Sequence, residues 1–160
     1  MQKINRYIRG KSFIYTFFIL AAVLIIFTSL YLIYFEFFSA RFDIVFVEDP
    51  YGLCRASAGF VFMALVLAPL LETVIFQIAI FHLLRLIKWF RKRECYIVLI
   101  SGLLFGLQHF FSLSHIIVTM FLGFFFMYVY LVRRRKGGYW MVVLLHALYN
   151  GLLLLFDNFL

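Results

Sequence analysis

The stretch APLLETVIFQ, residues 68–77, places a carboxylate, Glu72, three residues after Pro69 in a run that is otherwise apolar from about residue 57 to 84. The surrounding composition sets the solvent in which that acid has to be read. Of 160 residues, 66% are hydrophobic, 22% aromatic and 14% charged, far from the balance of a soluble domain. The chain therefore reads as an integral membrane protein with the lipid bilayer as its partner. In hydrocarbon each spanning run has to satisfy its own backbone as a helix, so the expected fold is all-α, a polytopic membrane bundle of about five transmembrane helices. The runs lie near 13–36, 57–84, 95–111, 115–132 and 139–156. Crossing a hydrocarbon core takes roughly 20 helical residues, and the third run is the shortest.

The net charge of +8 does not indicate nucleic acid, because Lys and Arg sit in short clusters between apolar runs, where they set topology. Lys3, Arg6, Arg9 and Lys11 form the first cluster, Arg85, Lys88, Arg91, Lys92 and Arg93 the second, and Arg133, Arg134, Arg135 and Lys136 the third; only Arg41 and Arg55 fall on the other side. That alternation predicts a cytoplasmic N-terminus and an external loop at 40–56, which carries Asp43, Glu48, Asp49 and Pro50. Residues 1–56 read as an N-terminal transmembrane helix and that loop, and 57–160 as a four-helix core. The first apolar run is too long for a signal-peptide core and is expected to be retained. Cys54 and Cys95 have no partner spacing and read as buried small residues. Nothing in the sequence sets the oligomeric state.

Few polar residues interrupt the spans. Glu72, Thr73 and Gln77 lie in the second, Gln108 and His109 in the third, and His146 and Asn150 in the fifth. Counting about 1.5 Å per residue from the nearest basic cluster puts Glu72 at roughly 20 Å, His109 at roughly 24 Å, His146 at roughly 15 Å and Asn150 at roughly 21 Å. Four polar groups from three helices thus share one depth. An ionisable group there costs on the order of 2.5–3.5 kcal/mol on insertion scales and is usually functional. A lone Glu or His at such a depth also fits a purely structural hydrogen bond between helices, but that explanation has to be invoked separately for each helix. His146 and Asn150, four apart, share a helix face. His82 and His115 lie toward helix ends and read as interfacial. Gly102 and Gly106 form a small-residue face for close helix packing, and Pro69 predicts a kink that frees the carbonyl of Leu65.

APLLETVIFQ, followed by FGLQH and then HALYNG, resembles the three motifs of the CPBP family (CAAX protease and bacteriocin-processing, or Abi) of intramembrane endopeptidases. That family typically shows Glu-Glu-x-x-x-Arg after Ala-Pro, then Phe-x-x-x-His, then His-x-x-x-Asn. The resemblance covers about residues 60–155 and makes 57–160 a catalytic core. It implies Glu72 as the catalytic glutamate, His109 as its partner in activating water, and His146 with Asn150 as the remaining polar pair, while Phe76 and Phe105 match the motif aromatics. Thr73 and Gln77 stand where the family has Glu and Arg. Because the two replaced residues carry opposite charges at i and i+4, their joint loss removes no net charge, and Thr73 and Gln77 are expected to meet through a neutral hydrogen bond as supporting residues.

On this reading the chain is an intramembrane glutamic endopeptidase acting on a peptide or a prenylated, membrane-associated protein, in peptide maturation or bacteriocin self-immunity, in a bacterial cytoplasmic (inner) membrane. Peptide hydrolysis needs a base for the attacking water and donors for the oxyanion; Glu72 is the base, His109 shares its water, and His146 and Asn150 are the donors. No cofactor is expected. Zinc on Glu72, His109 and His146 is the alternative, although no His-Glu-x-x-His helix is present. Two other functions compete: a catalytically inactive immunity or scaffold protein of the same fold, and a small proton- or solute-conducting protein that uses the buried Glu and His as relays.

Overall fold

The computed structural model describes residues 7–8, 10–39, 43–46 and 57–159. The basic residues Lys3, Arg6, Arg9, Arg41 and Arg55, Cys54, and most of the 40–56 loop lie outside the described residues. Five helices carry the fold: α1, Phe13–Tyr34; α2, Ala58–Leu86; α3, Glu94–Gln108; α4, Leu113–Arg133; and α5, Gly138–Phe159. The all-α membrane bundle is as expected. Four of the helices, α1, α2, α4 and α5, are long and apolar enough to cross a membrane.

The third run departs from expectation. The sequence pattern places it near 95–111, but α3 has 15 residues and stops at Gln108. At about 1.5 Å per residue that is roughly 22 Å, short of a hydrocarbon core of about 30 Å. The stop is local: His109 leaves helical geometry at φ −91°, ψ 54°, its backbone N–H turns to Gly106 O at 3.0 Å, and its ring nitrogen Nδ1 meets the Phe105 carbonyl at 2.8 Å. The side chain thus takes the carbonyl that an α-helical N–H at position 109 would have taken.

Helix α2 is continuous yet not uniformly α-helical. It starts at Ser57, whose Oγ accepts from Phe60 N–H at 3.1 Å, and widens into π-helical turns at Met63–Leu67 and Thr73–Ala79. Such turns inside α-helices are frequent at functional sites, and here they flank Glu72 on both sides. In the first of them Ala68 N–H bonds Met63 O, five residues back. The next bond in that register would join position 69 to Ala64 O, but Pro69 has no N–H. The carbonyl left over by the proline is therefore that of Ala64, where an uninterrupted α-helix would have freed that of Leu65.

The core lies where α5 meets α1, α2 and α4, and it includes Leu24, Phe105, Phe126, Met127, Met141 and Leu145, all fully buried. Leu71, Val74 and Ile75 of α2 and Leu103, Leu104 and Leu107 of α3 are exposed, as lipid-facing side chains should be. Helices α3 and α4 approach through glycines, in line with the small-residue face read from the sequence. A Cβ on Gly123 would stand 2.7 Å from Gly102 Cα and 2.8 Å from Phe105 Cβ, and one on Gly106 2.7 Å from Met120 Cβ. Because Gly102 opposes Gly123 with backbone, the pair cannot yield by a rotamer change. Gly123→Ala should push α3 from α4 and lower stability by about 1–3 kcal/mol, read as an earlier thermal unfolding transition in detergent.

Cys95 corrects another expectation. The sequence reading makes it a buried residue, but in the first turn of α3 it is exposed and unbridged. The basic ends behave as interfacial residues: Arg93 lies over the Trp89 ring at 4.5 Å, and Arg134 Nη1 pairs with Glu94 Oε1 at 2.8 Å, tying the end of α4 to the start of α3.

Candidate active site

Three side chains from three helices converge. Glu72 Oε2 lies 3.9 Å from His109 Nε2 and 3.8 Å from His146 Nε2. Both distances exceed a direct hydrogen bond and are short enough for one small molecule to bridge the groups. Glu72 Oε2 itself is buried with no hydrogen-bond partner. The side chain of Gln108 is a neighbour of the carboxylate.

Each member is held by its own surroundings. A carbonyl only accepts, so the His109 contact with Phe105 O places a proton on Nδ1; in the neutral ring Nε2 is then an acceptor directed at the carboxylate. His146 is buried and lies between Phe105, at 5.6 Å between ring centroids, and Phe126, at 5.1 Å. Phe105 also meets the His109 ring at 4.8 Å and Phe76 edge-on at 5.3 Å. Phe105 thus packs against both imidazoles and, backed by Phe76, forms the apolar floor of the cluster. Ser101 Oγ donates to Phe76 O at 2.8 Å, clipping α3 to the wide segment of α2 just after Glu72.

Glu72, His109, His146, Phe76 and Phe105 are therefore brought together, and the remaining expected residues are placed differently. Asn150 Nδ2 donates to Ala64 O at 2.8 Å, the carbonyl that Pro69 leaves without a backbone bond. Its amide supports α2 at the proline. Thr73 and Gln77 are 0% and 1% exposed, yet Thr73 Oγ1 and Gln77 Nε2 have no hydrogen-bond partner. The bond expected between them is not formed. They open and occupy the π-helical stretch Thr73–Ala79, where rings close over five residues, so side chains four apart do not stack as on an α-helix.

Two neighbours were not singled out as site residues from sequence. Gln108 is one of the polar residues of the span, and its place beside His109 in FGLQH is the available signal. His115, read as interfacial, has its ring 5.8 Å from that of His109 and 5.4 Å from that of Phe111, at the edge of the site. His82 is exposed and rests edge-on against Phe81 at 5.2 Å. Among the described residues no group of three or more His, Cys, Asp or Glu side chains is arranged to hold a metal ion.

Chemically, the arrangement offers a carboxylate oxygen and an imidazole acceptor facing one point, with a second imidazole across from them and an apolar floor. That set can bind a small hydrogen-bonding molecule and accept a proton from it. Residues 55–152 match a family model described as "Type II CAAX prenyl endopeptidase Rce1-like". No curated protein and no solved structure matches the chain.

Proposed function

We propose that this chain, which belongs to the Rce1-like family of type II CAAX prenyl endopeptidases and is an integral membrane protein, hydrolyses a peptide bond at the Glu72, His109 and His146 cluster. The observation that carries the proposal is the placement of both Nε2 atoms 3.8–3.9 Å from one unpartnered carboxylate oxygen.

In the proposed reaction one water donates its two hydrogens to Glu72 Oε2 and His109 Nε2. Glu72 takes a proton as the water oxygen bonds to the scissile carbonyl carbon. His146, in its Nε2–H tautomer, donates to the oxygen that becomes negative. When the carbon–nitrogen bond breaks, Glu72 returns its proton to the leaving amine. Glu72, His109 and His146 are the catalytic residues of this scheme, Phe76 and Phe105 its supports, and no cofactor takes part. Asn150 enters as a positioning residue through Ala64. Asn150→Ala should leave a buried carbonyl unpaired, at a cost of about 1–3 kcal/mol, and lower activity without removing it. Thermal unfolding in detergent checks this: an oxyanion donor alone would lower turnover by about 10²–10³ and leave the unfolding temperature unchanged.

The substrate class is a peptide or a prenylated, membrane-associated protein, and the setting is a bacterial inner membrane with the N-terminus cytoplasmic and residues 40–56 outside, in peptide maturation or bacteriocin self-immunity. Residues 57–160 form the catalytic core of this reading and 1–56 the helix and loop preceding it. The test is purified protein in liposomes with a fluorescent farnesylated peptide ending Cys-Val-Ile-Met. Cleavage that persists in chelator is expected; cleavage lost in chelator and restored by zinc would replace the glutamate scheme with a metal one. The unpartnered polar atoms of Thr73 and Gln77 favour one other reading, a silent scaffold or immunity relative. Intact peptide after prolonged incubation would select it, and proton or solute flux without cleavage would select a conducting protein.

A further inference from the structure

Between α3 and α4 the chain runs extended, with Ser112 at φ −143°, ψ 166°, and a distant segment lies along it. Phe46 N–H donates to Phe111 O at 2.8 Å, Leu113 N–H donates to Ile44 O at 2.9 Å, and Val45 opposes Ser112 in an antiparallel bridge. One end of this strap, Asp43–Phe46, is anchored by charge. Asp43 Oδ2 accepts from Ser112 Oγ at 2.7 Å and Oδ1 from Ser114 N–H at 2.9 Å, so the carboxylate co-caps the positive end of α4. Burial pushes the Asp43 carboxyl up, but these hydrogen bonds outweigh it and hold it below the usual range. The other end is held by Phe46, stacked on Phe110 at 4.8 Å. Between the two anchors the strap buries little: Ile44, Val45 and Phe46 are 56%, 64% and 45% exposed. A segment held by two backbone bonds, two bonds to one carboxylate and a ring stack, with no share in the core, belongs to the low-stability end of a structure.

The edge it covers adjoins the site. Phe111 N–H bonds His109 O at 2.9 Å, and the His115 ring lies between those of Phe111 and His109. An extended backbone at this edge satisfies Phe111 O and Leu113 N–H whatever its side chains, as in strand addition. With neither strap nor peptide present, both groups would lose these backbone hydrogen bonds. The strap's own sequence, two aliphatic residues followed by Phe, has the a-a-X pattern of a CAAX end.

We infer that Phe111–Leu113 is the docking edge for an extended peptide ending in two aliphatic residues and a terminal residue, and that the strap Asp43–Phe46 occupies it as an internal stand-in which the peptide displaces. This rests on the endopeptidase reading for its substrate, but its test has a separate readout. In full-length protein with Cys54 and Cys95 replaced by Ser, Val45→Cys with Ser112→Cys places two thiols at a facing pair of the kind a disulfide can bridge. Binding of the fluorescent farnesylated peptide in nanodiscs is then measured by anisotropy, alongside cleavage. The oxidised form should bind at least about tenfold more weakly than the reduced form, with full recovery on adding reductant. Phe46→Ala, which removes the stack and leaves the backbone bonds possible, should bind the peptide about two- to tenfold more tightly than native.

Equal binding by oxidised and reduced forms overturns the docking edge even where the reduced form cleaves, and the endopeptidase reading then survives alone. Redox-gated binding with no cleavage in any form supports the edge and removes the endopeptidase reading. Should the cysteine pair fail to fold, unchanged or weaker binding by Phe46→Ala overturns the inference. No binding by any folded form overturns it as well.

Discussion

Glu72→Gln is expected to lower cleavage by at least about 10³-fold while the protein accumulates and unfolds at or above the native temperature. The amide keeps the shape of the carboxylate, so packing between α2, α3 and α5 is undisturbed. What it loses is the capacity to take a proton from water. General-base catalysis contributes roughly 10²–10⁴, and here the same atom also returns the proton to the leaving amine, so both halves of the reaction fail together. Stability should not suffer, because the substitution replaces an ionisable group, buried with one oxygen unpartnered, by a neutral one. Cleavage in liposomes and a comparison of membrane peptides from cells carrying either version give the two readouts. Undiminished turnover would sink the mechanism.

The second large effect is expected at Thr73 and Gln77. Both are almost completely buried, so Thr73→Glu or Gln77→Arg alone introduces a charge with no partner, at a cost of about 3–5 kcal/mol by analogy with broken buried pairs. Either single variant should unfold well below the native protein and lose activity. The double variant restores the Glu and Arg of the family pattern and should recover most of the loss, because Arg is long enough to reach across the wide turns that keep Thr73 and Gln77 apart. Thermal stability and cleavage of the four proteins form a double-mutant cycle. Additive losses would mean that the side chains cannot meet on this backbone. A native chain that stays inert while the double variant cuts peptide would identify the natural protein as a silenced relative.

Much of the cluster was legible because depth in a membrane can be counted along a helix. Glu72, His109 and His146 could be assigned one level before any contact was known, and the structure joins them. The limits of such counting are equally physical. It treats α2 as a uniform helix, whereas its π-helical turns change which positions stack and which carbonyl the proline frees. Asn150 was at the right depth and on the right face of α5, but its partner, Ala64, is a main-chain group whose need depends on the register of another helix. The end of α3 depended on a side chain, since His109 caps its own helix through Phe105 O. The strap was hidden for a different reason: Asp43 and Ser112 are 69 residues apart, and two backbone hydrogen bonds leave no pattern in composition or periodicity.

Arg133, read from the sequence only as part of a basic cluster, has a further consequence. Its side chain is 2% exposed, and its Nη1 reaches Ile8 O at 3.0 Å, Lys11 O at 2.9 Å and, more distantly, Thr16 Oγ1 at 3.4 Å. Those acceptors belong to the turn leading into α1 and to its first residues, which precede the stretch matched by the family, 55–152. Leu20, Ala21 and Leu24 of α1 are also part of the core. Trimming the gene to the matched stretch would strip a guanidinium of its acceptors and uncover an apolar wall in one cut. The boundary of family resemblance is thus not a boundary of folding, and expression work on this chain should begin upstream of Ile8.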